Sequence, residues 1–236
     1  IQLYPFVLTP YNISKNIFYN DRVSTLDEEH TRAVKGILEE KNIHIQTEIP
    51  RKIFNMPVLD VEYEKWDSKK TKYAIEKNSK ERIVDLDPEK ALNRAKQFIT
   101  ENKWMNKDVI HWRTQKEDQG YRVVFKQKYK NWFLEYSYME CIVTPTGVSF
   151  FDKLWLKPLK KGRNKKEIMP ATNALLKLID KLEHVEKPIV IEDISVGYYF
   201  DPVQAGYQNV ESGRAVPAWR FILKGGDIVY IDAYKE

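Results

Sequence analysis

The sequence of 236 residues repeats one order of predicted elements, and this repeat limits the folds that the chain can adopt. A helix, two strands, a tight turn and a further strand occur twice along the sequence. The apolar positions of the first helix recur in the second at a displacement of 83 residues, so that Ala91, Leu92, Ala95 and Ile99 match Ala174, Leu175, Leu178 and Leu182. This repeat is too short and too variable for a solenoid. It predicts an α+β fold of duplicated modules, each with one helix packed on an antiparallel β-sheet.

Apolar side chains at helical spacing predict three helices, at 27–41, from 88 onwards and at 170–184. The second has the strongest start, because Asp87 can accept a backbone N–H at the N-cap and Pro88 suits the first turn. The first helix begins a unit of its own, which is a candidate for a third, degraded copy of the module.

Alternation of apolar and polar residues predicts the strands. A polar hairpin with strands at 73–76 and 82–86 is predicted before the second helix. The other predicted strands span 43–49, 58–66, 109–113, 121–129, 133–144, 148–156, 189–200, 218–223 and 228–234. In the strand 133–144, simple alternation puts Phe133 and Met139 on one face and Tyr136 and Tyr138 on the other.

These elements predict four parts of the chain. They are a connector (1–25), an N-terminal α+β lobe (26–158, divisible into modules at 26–86 and 87–158), a basic linker (159–167) and a C-terminal α+β module (168–236). The chain begins IQLYPFVL, which is either the outer end of an apolar membrane segment or an ordinary first strand. Residues 201–216 form an excursion longer than a hairpin needs, so they are either a mobile surface loop or an ordered flap.

The net charge is +5, from 39 basic and 34 acidic residues. This modest excess permits a membrane surface, an acidic polymer or an acidic protein as partner without requiring one. The densest basic block, at 157–167, is either an anion-binding patch or a solvated linker. Because no aromatic residues alternate with its lysines to stack on bases, nucleic acid is not an expected partner.

The sequence contains no motif for catalysis or cofactor binding. Its four histidines are far apart and none is next to a cysteine, so no metal site is predicted. The single cysteine, Cys141, lies in an aliphatic strand, where a buried hydrophobic role is expected. Glu192 and Asp193 are adjacent in a strand and point to opposite faces, which makes them a poor acid–base pair. We therefore predict a protein that is not an enzyme and has no catalytic residues, metal or cofactor.

Aromatic residues crowd the hairpin around 129–138 and the last sheet. Both faces of the strand 133–144 are partly apolar, which predicts a helix over one face and another module or a partner over the other. The alternative is that the aromatic residues only stabilise a thin sheet. The candidate partner-contact residues are Trp132, Tyr136, Tyr138 and, in the excursion, Tyr207. Such contacts would serve a homodimer or a heterodimer.

Three C-terminal motifs and one earlier stretch resemble the YycI family. The motifs are Gly197-Tyr198-Tyr199, Pro217-Ala218-Trp219-Arg220 and Tyr230-Ile231-Asp232-Ala233-Tyr234, and the stretch is 37–64. The resemblance spans about residues 27–234. It implies modules similar to the C-terminal part of YycH and to PepSY domains, and it carries over no catalytic or binding residues.

The resemblance also implies a location and a function. It implies a single-pass protein of the cell membrane of Gram-positive bacteria, with a transmembrane helix before Ile1 and the rest outside the cytoplasm. It implies that the protein acts with YycH to restrain the sensor histidine kinase WalK (YycG), which controls cell-wall metabolism. Two alternatives stay open at this point: a secreted inhibitor or peptide-binding module, and a cell-wall hydrolase whose carboxylates are brought together by folding.

Overall fold

The computed structural model describes residues 28–64, 68–78, 82–161, 165–200 and 212–234. Its four helices within these ranges are α1 (Glu28–Glu40), α2 (Ser68–Asn78), α3 (Pro88–Glu101) and α4 (Ala171–Lys181). The strands are β1 (Ile43–Ile45), β2 (Asn55–Met56), β3 (Leu59–Tyr63), β4 (Val109–Glu117), β5 (Gly120–Tyr129), β6 (Trp132–Thr144), β7 (Gly147–Leu154), β8 (Leu156–Lys161), β9 (Lys166–Glu167), β10 (Ile189–Tyr199), β11 (Ser212–Leu223) and β12 (Ile228–Asp232). This content confirms the α+β class. The predicted connector, Tyr207 and most of the excursion lie outside the described residues.

The three predicted helices are confirmed as α1, α3 and α4. In α3 the Asp87 carboxylate accepts the backbone N–H of Lys90 at 2.7 Å, and Pro88 is in the first turn. The apolar residues of α3 that recur in α4 include Ala91 and Ala95, and both are fully buried. Local signals for capping and amphipathicity therefore determine where this helix begins and which side faces the sheet.

The predicted polar hairpin is wrong, because residues 68–78 form the helix α2 and 82–86 contain no strand. Thr71, Ala74 and Asn78 are buried at spacings of three and four, which is the spacing of one helix face. The Asn78 side chain accepts the backbone N–H of Val148, and Arg94 donates to the Asn78 carbonyl at 3.1 Å. Contacts with β7 and α3 thus favour a helix in a segment whose own composition is polar.

Ten strands form one mixed sheet with the order β4-β5-β6-β10-β11-β3-β8. Strand β7 also pairs with β6, β1 with β10, and β12 with β11, while β2 and β9 form a separate two-stranded sheet. The junction between β6 and β10 is narrow, since it rests on a single parallel pair, Leu134 with Tyr198. Through this junction the sheet continues from the middle of the chain to its C-terminal part.

Several strand boundaries differ from the predicted ones because pairing partners are distant in sequence. Strand β11 begins at Ser212 instead of 218, since its first residues pair with β3. The predicted linker contributes the end of β8 and all of β9, which pair with β3 and β2. Strand β1 ends at Ile45, before the predicted boundary at 49.

The buried apolar residues form two clusters. One lies beneath α1 and α4 and contains residues of β1, β3, β10, β11 and β12. The other lies beneath α2 and α3 and contains residues of β5, β6 and β7. The first stretch of the described chain, 28–63, therefore packs with 168–234. The predicted boundaries of the lobes stay a prediction.

All four helices lie on one face of the sheet. Gln127 is opposite Leu134, and Leu134 is opposite Tyr198. Because residues directly opposite each other share a face, these three side chains lie on the same face of the sheet. Leu134 and Tyr198 belong to the core beneath α1 and α4. Phe125, two residues before Gln127 and so on the same face, belongs to the core beneath α2 and α3.

We term the other side the helix-free face, because no helix in the described ranges covers it. Register and alternation place these residues on it: Arg122, Lys126, Tyr138, Glu140, Ile142, Phe150, Asp152, Leu154, Asp193, Arg214, Arg220 and Tyr230.

Candidate partner-binding face

A bulge in β6 changes which side chains reach the helix-free face. Residues 135–137 lie between Leu134, which is opposite Gln127, and Tyr138, which is opposite the next residue, Lys126. These three extra residues reverse the alternation. Phe133, opposite Lys128, therefore faces away from the helices, whereas Met139, opposite Phe125, faces them. The predicted uniform alternation of 133–144 is wrong across this bulge.

The centre of the helix-free face is a buried cluster of charges around Arg220. Nη1 of Arg220 lies 3.2 Å from both carboxylate oxygens of Glu135, and Nη2 lies 3.1 Å from Oδ2 of Asp193. The side chains of Arg220 and Glu135 are 3% and 1% exposed. Burial alone would lower the pKa of Arg220, but Glu135 and Asp193 raise it above its usual value. The guanidinium therefore stays charged and neutralises both carboxylates.

Aromatic rings enclose the guanidinium of Arg220. Its Cζ lies 4.8 Å from the ring centre of Trp112 and 5.1 Å from that of Phe133. The two rings are edge to face, with centres 5.5 Å apart. Cation–π contacts of this kind strengthen when water is excluded.

The contact between Trp112 and Arg220 shows that the sheet is bent. Trp112 is on β4 and Arg220 on β11, which are four strand spacings apart, or about 19 Å in a flat sheet. The two side chains nevertheless touch. The sheet therefore curves toward its helix-free face, and the Arg220 cluster lies in the crease.

Two further residues complete the cluster. Lys126 donates to the carbonyl of Glu135 at 2.8 Å, and Tyr230 donates its hydroxyl hydrogen to Glu135 Oε2 at 3.3 Å. Burial, with the cations Arg220 and Arg113, lowers the pKa of Lys126. Burial, with the charge of Glu135, raises the pKa of Tyr230.

Gly197 leaves room for the Glu135 carboxylate. A Cβ at this position would lie 2.4 Å from Glu135 Oε1 and 2.9 Å from the carbonyl oxygen of Phe133. The glycine in the Gly197-Tyr198-Tyr199 motif thus allows β10 to approach β6 closely at their single paired position.

This geometry suits a structural role for the cluster. The two carboxylates that fold together, Glu135 and Asp193, both bind Arg220, which is always charged. Burial raises the pKa of the Cys141 thiol, which keeps it protonated. Among the described residues no group of three or more His, Cys, Asp and Glu side chains could hold a metal ion.

The outer part of the helix-free face, on β5, β6 and β7, is more open. Phe150 is 43% exposed and lies opposite Ile142, which is half-buried. The Tyr138 hydroxyl donates to Asp152 at 2.6 Å, and burial and this bond raise the pKa of Tyr138. Arg122 links Glu117 and Glu140 along one side. We term Ile142 and Phe150 the apolar strip. An apolar patch with a charged rim is a common composition of protein–protein interfaces.

The family model for YycI protein matches residues 22–234. The chain belongs to the YycI family. Members of the YycI family are regulators of the YycG/WalK system, a sensor kinase system at the membrane. The YycI family is a regulatory family and not a known enzyme family. No curated protein matches the chain.

The YycI motifs coincide with the elements around the crease. Gly197 approaches Glu135, and Arg220, at the end of the second motif, is the centre of the cluster. Tyr230, at the start of the third, binds the same carboxylate. None of the helices in the described ranges has the length and hydropathy that crossing a bilayer requires.

The candidate contact residues of this YycI chain lie in different places. Trp132 is on the helix-covered side, where its ring is 4.9 Å from that of Phe54. Tyr136 is half-buried in the β6 bulge. Tyr138 lies on the helix-free face, and Tyr207 is outside the described residues. Of the four, the structure thus puts Tyr138 on the same face as Ile142 and Phe150, with Glu140 and Asp152 between them.

Sequence reasoning missed Arg220, Glu135 and Trp112. A signal was present for two of them, since Arg220 and Glu135 are charged residues next to large apolar residues within predicted strands. Buried charges are paired. Their separation of 85 residues, however, left the pairing itself unpredictable from either strand alone.

Proposed function

We propose that the chain is the extracytoplasmic part of a membrane-anchored regulator that, together with YycH, restrains the WalK/YycG sensor kinase. The observation that carries this proposal is the helix-free face of a regulatory-family protein, with Phe150 43% exposed opposite the half-buried Ile142. We propose this strip as the contact with YycH. The Arg220 cluster stabilises the bend of the sheet, and the bend determines how this strip is exposed to a partner. The protein acts by binding and catalyses no reaction.

The mechanism is a difference in affinity. A complex that binds one kinase conformation more tightly shifts the equilibrium toward it, by no more than that difference in free energy. Anchoring of all partners in one bilayer raises their effective concentration to about the millimolar range. A small interface is then sufficient for regulation.

Charge introduced at the apolar strip is expected to release the kinase. We expect Phe150→Glu in the membrane-anchored protein to lose restraint, because an unpaired carboxylate at an apolar contact costs several kcal/mol, or roughly a hundredfold or more in affinity. The measurement is kinase autophosphorylation in membranes that contain YycH and the anchored variant.

The matched control is Tyr73→Glu. Tyr73 is 68% exposed on α2, which is on the helix-covered side, so this variant is expected to restrain the kinase like the unaltered protein. Equal restraint by both variants would refute the proposed contact face. Loss of restraint in both would show that added charge anywhere is sufficient.

A further inference from the structure

A bulge in β4 brings a further arginine to the crease. The extra residue of this bulge is Trp112, which comes directly before Arg113. Arg113 is opposite Val124, and Val124 is opposite Glu140 on the helix-free face, so Arg113 lies on that face too. The Trp112 ring lies on the same face, because it contacts Arg220. The bulge thus puts two consecutive side chains, Trp112 and Arg113, on the helix-free face.

Two guanidinium N–H groups on this face have no acceptor among the described residues. The Nη atoms of Arg220 bind carboxylates, but its buried Nε has no hydrogen-bond partner. Nε of Arg113 is also buried and has no partner either. No carboxylate of the described chain forms an ion pair with Arg113. Because buried donors in folded proteins are nearly all satisfied, both groups point to an acceptor from outside the chain.

The positive charges around the crease exceed the negative ones. Burial lowers the pKa of Lys126, and the nearby charges of Arg220 and Arg113 lower it further. These three cations share two carboxylates, Glu135 and Asp193, and both carboxylates bind Arg220. Arg113 therefore carries the surplus charge, and an added anion would relieve the repulsion among the three cations.

The neighbouring carboxylates of the helix-free face already have partners. Arg122 forms ion pairs with Glu117 and Glu140, and the Tyr138 hydroxyl donates to Asp152. Taking one of these carboxylates for the crease would break a contact that is already made. The surplus charge is thus a property of the crease that its neighbours do not cancel.

The crease is open to a ligand at its rim, and its charge indicates the class of ligand. Trp112, Arg113 and Lys126 are half-buried, and the Asp193 side chain is 38% exposed. One surplus positive charge matches one carboxylate, whereas a phosphate monoester carries about two negative charges. A carboxylate also accepts charge-assisted hydrogen bonds from guanidinium N–H groups.

The position of Arg113 indicates where the carboxylate comes from. Val124, which is opposite Arg113, is two residues from Arg122, and Arg122 is opposite Ile142 of the apolar strip. A protein interface of ordinary size covers about 800 Å² on each partner. A protein that covers the apolar strip therefore also extends over Arg113, and an acidic side chain on its surface can enter the crease.

We propose that the crease is a carboxylate-binding site, and that an aspartate or glutamate side chain of the protein that covers the apolar strip occupies it. Arg113 neutralises this carboxylate, and the free Nε–H groups of Arg113 and Arg220 are its donors. The proposal rests on the proposed function, which makes the apolar strip the contact with YycH. The competing explanation is an ordered water that accepts both N–H groups.

An NMR titration of the 236-residue chain tests the site without a partner. Nitrogen–proton correlation spectra record the Nε–H signals of Arg113 and Arg220 while sodium acetate replaces sodium chloride at constant ionic strength. We expect both signals to shift and to saturate, with a midpoint on the order of 10 mM, which two charge-assisted hydrogen bonds can supply. If neither signal shifts, the donors bind water or any anion alike, and the proposal is overturned.

Arg113→Gln distinguishes a binding role from a structural one. Because Arg113 forms no ion pair within the described chain, the variant is expected to keep or raise the urea midpoint of the free chain. In the membrane-anchored protein it is expected to weaken the affinity for YycH by about thirtyfold or more, since a carboxylate of the partner loses its cation. A lower urea midpoint with unchanged YycH affinity would make Arg113 structural and overturn the proposal.

Lys72→Gln is the matched control. It removes one exposed cation from α2, on the helix-covered side, and is expected to change neither the acetate response nor the affinity for YycH. If it weakens YycH binding as much as Arg113→Gln does, net charge and not the crease attracts the partner. If acetate shifts the signals but Arg113→Gln binds YycH normally, the ligand is a free carboxylate solute. Either result overturns the proposal.

The two arms also separate this proposal from the proposed function. The acetate titration requires neither YycH nor the kinase, so its failure leaves the proposed regulation standing. If the unaltered anchored protein does not bind YycH, the proposed function fails, and with it the assignment of the carboxylate to that partner. A saturable acetate shift would then still establish the carboxylate site itself.

Discussion

Replacing Arg220 with alanine is expected to lower the free energy of unfolding by about 3–5 kcal/mol. The substitution leaves the buried Glu135 carboxylate without its cation and removes the guanidinium between Trp112 and Phe133. A buried charge without a partner is among the costliest defects in a protein interior. Urea unfolding followed by circular dichroism measures the change.

The double variant Arg220→Met with Glu135→Leu is the control. It removes both buried charges and keeps most of the apolar volume, so it is expected to regain most of the lost stability. Asp193 keeps access to water, since its side chain is 38% exposed. A loss below about 1 kcal/mol in Arg220→Ala would mean that the pair behaves like a surface ion pair and that the crease is open to solvent.

Replacing Trp219 with alanine is expected to cost a similar amount, about 3–5 kcal/mol. Trp219 is 1% exposed in the core beneath α1 and α4, and its indole N–H donates to the Met169 carbonyl at 2.9 Å. The substitution removes a large buried side chain and leaves that carbonyl without its donor. The shift of the urea midpoint at constant slope gives the change in stability.

Trp219→Phe separates the two contributions. It keeps most of the apolar contact and removes the hydrogen bond to the Met169 carbonyl, with an expected cost of about 1–3 kcal/mol. If alanine cost no more than phenylalanine, the core around Trp219 would be loosely packed. The account of the C-terminal module as a helix packed on a filled sheet would then be wrong.

The helices show which parts of this fold the sequence reveals. The start of α3 is predictable because Asp87 and Pro88 lie next to the turn that they cap. The helix α2 is not, because its favourable contacts come from Val148 and Arg94, which are remote in the sequence. Local sequence propensity determines where α3 begins, whereas tertiary contacts determine that the α2 segment is helical.

In the strands and the candidate site, too, local patterns were predictable and features that depend on remote contacts were not. Alternation identified β5, β6 and β10, but it could not reveal the bulge at 135–137 that moves Phe133 to the other face. The lysine-rich β8 resembles a linker until β3 pairs with it. The Arg220 cluster draws on β4, β5, β6, β10, β11 and β12, so only the assembled sheet brings its members together.

Site-specific photocrosslinking from Phe150 tests directly whether the helix-free face contacts YycH. A photoreactive residue is placed at Phe150 in the membrane-anchored protein, in cells that contain YycH and the kinase, and the same residue is placed at Tyr73 as control. We predict a covalent adduct with YycH from Phe150 on the helix-free face and none from Tyr73 on α2. An adduct from Tyr73 together with none from Phe150 would contradict the account.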